Sequence, residues 1–323
     1  MKKILIVLLL AAAMGSCYED YITDFDYDGI YFPYQTDVRT FVVGEGMKIE
    51  IGATLGGVRE NTRDRVVTFS IDNSLVTANV LATMKGGAQY IKDAVAPVTT
   101  LLPVPTNYYT LSNNSTMVIK TGQHMGSVLM KIDSAKFVAD PKALFANYAI
   151  PFNMLTADAD TILSTKRTAV IGLHYENMLF GNYWHGGVTT EKDAAGTTIS
   201  TIVYYTAVNQ PENKTWKLTT IEPNALVANG ISANTSAKQE MKLTLDGANI
   251  IVSTMAGSTF PVQPNGASTY NRAKLLQNRK ILLNYKYVNA AGNTCYAQDT
   301  LTFRNRVRDG VNEWQDENPA NYK

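Results

Sequence analysis

Apolar and polar positions alternate along most of the chain in short runs that end at Gly, Asn, Asp or Pro. In the first half these runs are Gly29–Pro33, Thr40–Gly44, Lys48–Leu55, Val66–Ile71, Ser115–Lys120, Ser127–Ile132 and Ala149–Leu155. A two-residue period puts alternate side chains on opposite faces of a strand, and about seven such strands separated by turn residues predict an antiparallel sandwich. The run Ala169-Val170-Ile171-Gly172-Leu173 reads as its last strand. A second series then opens at Gly181: Gly181–Thr189, Ser200–Val208, Thr215–Ile221, Gln239–Leu245, Asn249–Met255, Lys280–Asn289 and Thr294–Arg304. Asp246-Gly247 and Ala291-Gly292-Asn293 suit tight hairpin connections, and this up-and-down spacing favours a closed barrel over a second sandwich. Helical signals are few. Asp140 followed by Pro141 marks a short helix start, and Val76–Ala94 has room for another, interrupted at Gly86-Gly87.

The first residues follow a different rule. Lys2 and Lys3 precede an apolar run from Ile4 to Met14, and the small residues Gly15 and Ser16 precede Cys17. This is the layout of a cleavable secretory signal, with an apolar centre too short to remain as a membrane span. Met14-Gly15-Ser16-Cys17 resembles a lipobox, in which the cysteine thiol is acylated and becomes the first mature residue; an ordinary signal with an incidental cysteine is the alternative. More than one acyl chain gives stable anchoring, so lipid on Cys17 would hold the protein at a membrane. Past Cys17 no apolar run is long enough to span a bilayer.

At 323 residues the chain favours two domains over one, and its formal net charge of +1, with no dense Lys/Arg block, argues against nucleic acid as the main partner. With Cys17 lipidated, Cys295 has no mate for an intrachain disulfide, and its strand-like setting suits a buried structural thiol better than a reactive one.

The chemistry of known catalytic sites finds little support. His124, His174 and His185 belong to no His-Glu-x-x-His helix, and there is no zinc-spaced Cys/His cluster, nucleophile elbow or phosphate-cradling loop. No metal or cofactor is therefore expected. Carboxylate pairs for glycoside hydrolysis need not be close in sequence, which leaves Asp158 with Asp160, Asp309 with Glu313, and Asp316 with Glu317 as candidates. Each has a plainer reading. The Asp158/Asp160 segment reads as a polar loop, with calcium binding as a lesser option. Asp309-Gly310 reads as a turn whose neighbours Arg306 and Arg308 pair with nearby acids.

Two segments resemble known families. Leu102–Leu111, Val118–Gly122 and Tyr148–Pro151 look like domain-of-unknown-function family 1735, found at the N-terminus of many Bacteroidetes surface lipoproteins. Gly181-Asn182-Tyr183-Trp184-His185-Gly186-Gly187 and the closing Asp299–Trp314 resemble the partner family 4361. The resemblance implies an all-β fold: an N-terminal immunoglobulin-like β-sandwich followed by a C-terminal lipocalin-like (calycin) antiparallel β-barrel. The corresponding division is a signal peptide over 1–16, a lipidated acidic tether over 17–28, the sandwich over 29–175 and the barrel over 176–323. It also implies glycan capture at the outer-membrane surface beside a SusC/SusD-type importer, without catalytic residues. The acids from Glu19 to Asp28 resemble a surface-export signal of such lipoproteins, a solvated tether being the alternative.

Sugars stack their C–H faces on aromatic rings and hydrogen-bond to Asn, Gln and Asp, so the barrel's aromatics are the candidate platforms. Trp184, Tyr205 and Trp216 are the expected ligand-binding residues. Gly181-x-Tyr183 occupies the place of the lipocalin Gly-x-Trp, so Tyr183 is expected to plug the barrel floor. Alternation then puts His185 on the same side and Trp184 outside. The expected function is thus non-catalytic glycan binding. A structural or adhesive protein that contacts other proteins is the second reading, and a hydrolase the third.

The anchor has its own test. Cys17→Ala should leave a soluble or unprocessed protein, and recovery of mature Cys17→Ala protein in the membrane fraction would show that acylation is not what holds it.

Overall fold

The computed structural model describes residues 27–204, 212–235 and 238–316. Strands make up 52% and helices 14%, as expected of an all-β chain. The first sheet orders β10 (Thr161–Ile162), β1 (Gly29–Tyr31), β3 (Lys48–Gly56), β8 (Met125–Ile132) and β6 (Tyr109–Leu111). The second orders β2 (Thr36–Val43), β11 (Thr168–Asn177), β9 (Tyr148–Ala157), β4 (Arg65–Ile71) and β7 (Thr116–Ile119), with β5 (Leu102–Pro103) beside β9. Ile49, Ile51, Ala53 and Leu55 of β3 meet Phe69, Ile119, Ile150 and Phe152 of the other sheet in one buried cluster. This is the sandwich that the alternation predicts.

It is not purely antiparallel. β1 runs parallel to β10, β5 to β9 and β2 to β11, the last over eight paired positions from Thr36↔Val170 to Val43↔Asn177. The chain crosses between the sheets, so neighbours in a sheet are distant in sequence and free to run in the same direction.

The continuous apolar run at the end of this half has a simple cause. Ala169, Ile171 and Leu173 face the sandwich core, while Val170 packs with Val38 and Ala149 against two helices, α1 (Ala78–Gly86) and α2 (Gln89–Val95), through Leu81, Met84, Ile91 and Val95. A strand covered on both faces carries no alternation. The Thr77 hydroxyl caps α1 by accepting from the Val80 amide, and the helix stops at Gly86-Gly87 as expected. The Asp140-Pro141 signal begins a 3-10 turn over Pro141–Leu144.

The third sheet takes all its strands from residues after Asn177: β12 (Gly181–Lys192), β13 (Thr198–Tyr204), β14 (Thr215–Glu222), β15 (Ala225–Ala228), β16 (Met241–Asp246), β17 (Asn249–Thr254), β18 (Val262–Pro264), β19 (Ser268–Tyr270), β20 (Lys280–Val288), β21 (Thr294–Arg308) and β22 (Val311–Glu313). β12 pairs with β14 and β13 along one edge and with β21, from Asn182 to Lys192, along the other. That last pairing closes the sheet into a barrel, and closure removes the exposed edges that an open sheet would leave. Gly181 sits at φ 143°, where a Cβ would lie 2.9 Å from the Asn305 carbonyl oxygen, so the strand can begin only on glycine. Tyr183 is fully buried in the barrel core, donating its hydroxyl to the Leu179 carbonyl at 3.0 Å and meeting the edge of Phe303.

Sandwich and barrel are joined by a buried ion network. The turn between β2 and β3 takes left-handed conformations at Gly44, Gly46 and Met47, which carries Glu45 across to the barrel. Its carboxylate meets Arg279 at 2.7 Å and Arg306 at 2.9 Å, and both guanidiniums are closed to solvent. Arg279 also donates to the Met178 carbonyl in the linker, and Arg306 donates to Glu313. Burial works against the Glu45 charge, but the two guanidiniums overcome it and hold its carboxyl below the usual range. Asn177 fixes the linker further, accepting from the Leu179 amide and donating to the Pro223 carbonyl.

Breaking a buried pair from one side leaves an uncompensated charge. Glu45→Ala, which strands Arg279 and Arg306, should therefore cost about 3–5 kcal/mol, read as a lower midpoint in urea; a midpoint unchanged from the parent would show that the network contributes nothing.

Candidate functional site

The barrel interior holds a cluster of polar side chains among the described residues. Asp299 on β21 accepts from the hydroxyls of Tyr204 and Tyr285, the latter at 2.5 Å, and lies 3.2 Å from His185 Nε2. Ser232 donates its amide to the Tyr285 hydroxyl and shares a 2.6 Å contact with Thr189. A Cβ at residue 187 would come within 2.5 Å of the Asp299 carboxylate, so glycine there is what lets the carboxylate reach this position. His185 stacks on Trp216 with ring centres 4.0 Å apart. Burial pushes both tyrosine hydroxyls up, with the Asp299 charge adding to it. Cys295 is buried close by, and its thiol is likewise pushed up by burial, as suits a structural thiol.

This arrangement decides the fate of the expected aromatic platforms. Trp216 is 1% exposed, lies in the barrel core and is not a surface platform. The reason is the strand period: Trp216, Leu218 and Thr220 are buried, while Lys217 and Thr219 between them face outward. Tyr205 lies outside the described residues. Trp184 is half-buried on the outer face, opposite in sense to Tyr183 and His185, with the Arg304 guanidinium 4.6 Å from its ring centre. Its partner is thus a cation–π contact already in place.

The carboxylate candidates also resolve. Asp160 accepts from the Asp28 amide and Asp158 from the Val66 amide, so both acids are engaged with neighbouring strands, and no group of metal-holding side chains occurs among the described residues. Asp309-Gly310 forms the left-handed turn between β21 and β22, with Arg306 and Arg308 both bonded to Glu313, as the turn reading expects. Leu276 N donates to Asp316, while Glu317 lies outside the described residues.

A sizeable opening lies where the two halves meet. It is a cleft of about 640 Å³, in the range of small-molecule sites, with walls from α2, β2 and β11 on one side and β12, β14 and the β21–β22 turn on the other. Tyr90, Phe145 and Phe180 supply aromatic surface, and Asn182, Lys217 and Thr219 supply hydrogen-bonding groups; the Tyr175 ring packs into the sandwich core against Phe137. β11 pairs with β9 only as far as Leu173 but with β2 as far as Asn177, so its last residues run past β9 to border the cleft, where the Asn177 amide donates to the Thr220 hydroxyl.

Three groups cross this junction as a chain. The Thr40 hydroxyl donates to Asp309 at 2.8 Å, and His174 Nε2 lies 2.9 Å from the same oxygen. A hydroxyl has one proton to give, so with Asp309 ionised His174 must donate through Nε2. Burial lowers the His174 pKa to about 4 and keeps the ring neutral. The order is imidazole, hydroxyl, carboxylate. A nucleophile–base–orienter triad needs the imidazole in the middle, and this chain does not supply it.

Glu176, at the end of β11, was not singled out by the sequence. Its Oε2 is closed to solvent and has no hydrogen-bond partner. Burial is the main cause that raises its pKa to about 8; Arg306 and Arg308 oppose the shift, and Asp309 and Glu313 add to it. Asp309 is raised to about 6, again chiefly by burial.

Among known proteins, residues 25–161 match a family model described only as an N-terminal domain. A protein of unknown function from Bacteroides ovatus, solved by crystallography at 2.40 Å in structural genomics, is similar over 90% of this chain and 99% of its own, with a TM-score of 0.63 and 21% identity. A second such B. ovatus protein, at 2.61 Å, aligns over 90% of this chain and 100% of its own, with a TM-score of 0.43 and 11% identity. No curated protein matches. What the first structure shares with this chain is the fold.

The Glu176 carboxyl predicts a pH effect. In the unfolded chain it ionises near 4.5, in the folded chain near 8, so unfolding releases a proton between these values and stability falls as pH rises through that window. Glu176→Gln should remove a slope of about 1.4 kcal/mol per pH unit, melting above the parent at pH 8 and close to it at pH 4.5. Equal melting at both pH values would show that the carboxyl is ionised in the fold.

Proposed function

We propose that the protein is a lipid-anchored, non-catalytic capture protein of the outer-membrane surface that binds a saccharide in the cleft between sandwich and barrel, beside a SusC/SusD-type importer. The anchor rests on the Met14–Cys17 signal, and the importer on the resemblance to families 1735 and 4361. The cleft carries the ligand reading, because it pairs aromatic faces with convergent hydrogen-bonding groups, as an amphipathic sugar requires.

Of the expected platforms, Trp184 keeps a place in this reading. Asn182 and Lys217 are paired across β12 and β14, and Trp184 pairs with Thr215 one step along the same outer face. A saccharide longer than the cleft would continue onto the Trp184–Arg304 shelf.

The adhesive reading retains one supporting observation. On β13, Ile199, Ile202 and Val203 are 54%, 53% and 65% exposed, which is unusual apolar surface for a strand paired only with β12 among the described residues.

A glycan array followed by calorimetry on residues 18–323 tests the proposal. A glycan should bind, and Lys217→Ala and Trp184→Ala should each weaken it about tenfold or more at unchanged melting temperature, since a few contacts dominate such sites. Glycan binding indifferent to both substitutions would remove the cleft, and binding of a protein partner lost on Ile202→Lys would favour adhesion.

A further inference from the structure

The charges around the cleft do not balance. Arg279, Arg306 and Arg308 face the carboxyls of Glu45, Glu313, Asp309 and Glu176, three cations against four acids. The other charged groups nearby cancel in pairs: Asp37 binds Arg39, and Asp93 on the sandwich wall offsets Lys217 on the barrel wall. His174 is neutral and satisfied by Thr40. The unbalanced group is Glu176, since Glu45 and Glu313 hold guanidiniums and Asp309 accepts from Thr40.

Two observations at Glu176 are independent of that count. One carboxyl oxygen is buried without any hydrogen-bond partner, and the residue lines the cleft. A buried acceptor left unmade is costly, so a donor brought by a ligand gains both the hydrogen bond and the release of that cost. A proton on Glu176 balances the empty cleft; a cationic donor would balance it and satisfy the oxygen as well.

We propose that the ligand is a saccharide with a free amino group, whose ammonium seats against Glu176 and takes the place of the proton held there. The inference rests on the saccharide reading and adds the ligand's charge. The balance is one proton: the ammonium keeps its three hydrogens, the Glu176 proton passes to the buffer, and the cleft stays neutral. Arg306 and Arg308, each held by Glu313, are not freed to repel the newcomer.

Calorimetry on residues 18–323 with the glucosamine trimer, its N-acetylated counterpart and cadaverine, in two buffers of different ionisation enthalpy at pH 6, where the amines and Glu176 both hold their protons, tests it. The free-amine trimer should bind at least about tenfold more tightly than the acetylated one and release about one proton per ligand. Glu176→Gln should lose both the preference and the release without melting below the parent at pH 7. Equal binding of the two trimers, or amine binding with no proton release in the parent protein, overturns the inference. If the acetylated trimer binds through Lys217 and the amine gives no advantage, the saccharide reading stands and this one falls. If cadaverine alone binds with Glu176-dependent proton release, the ammonium seat stands and the saccharide reading falls. Binding by none of the three overturns the ammonium seat.

Discussion

A carboxylate closed off from water between two guanidiniums organises this molecule. Glu45 reaches from a sandwich turn into the barrel and meets Arg279 and Arg306, which are themselves closed to solvent. Removing three charged groups from water costs several kcal/mol per ion, and the attraction between them repays that only with good geometry and further hydrogen bonds. Here those bonds exist: Arg279 donates to the linker carbonyl of Met178, and Arg306 to Glu313 on the final hairpin. The linker, the β2–β3 turn and the end of the barrel are thereby held at one point. The cleft beside it follows from that joint, because its two walls belong to different halves of the chain.

The same geometry explains where a ligand can and cannot go. A lipocalin-like barrel suggests a ligand in the lumen, and inside this one His185, Asp299, Tyr204, Tyr285, Thr189 and Ser232 form a buried cluster, with Trp216 stacked on His185. The Asp299 carboxylate, the two tyrosine hydroxyls, Thr189 and Ser232 bond to one another, as buried polar groups must, while the Trp216 indole nitrogen has no partner. Glu176 does not share in that satisfaction. Its unpartnered oxygen belongs to a residue that lines the cleft, so at the junction an unmet hydrogen-bonding demand lies beside open volume.

Much of the fold was legible in the alternation of residues. β3 alternates cleanly, with Ile49, Ile51, Ala53 and Leu55 inside, and the Asp246-Gly247 turn follows from residue type alone. The strands that escaped were β5, β6, β10, β15, β18, β19 and β22, two to four residues long, formed because a neighbouring strand offers a partner rather than because of a local pattern. Trp216 was readable and was misjudged: the period in Trp216, Leu218 and Thr220 places the indole inward, but an aromatic near polar residues drew the opposite inference. Glu176 was not readable. It is a single acid after an apolar run, and what gives it significance, Arg306, Arg308 and Asp309, arrives from the far end of the chain.

The claim that a buried ion network makes one body of the two halves, with a cleft already formed, is open to direct measurement. Spin labels on cysteines placed at the exposed positions Lys131 on the sandwich and Lys280 on the barrel report the distance between the halves by pulsed electron resonance. The account predicts a single narrow distance distribution, unaltered by high salt because the ion pairs are shielded from solvent. A broad or multiple distribution in the unliganded protein would contradict it, since the cleft would then be a passing arrangement of two independent domains.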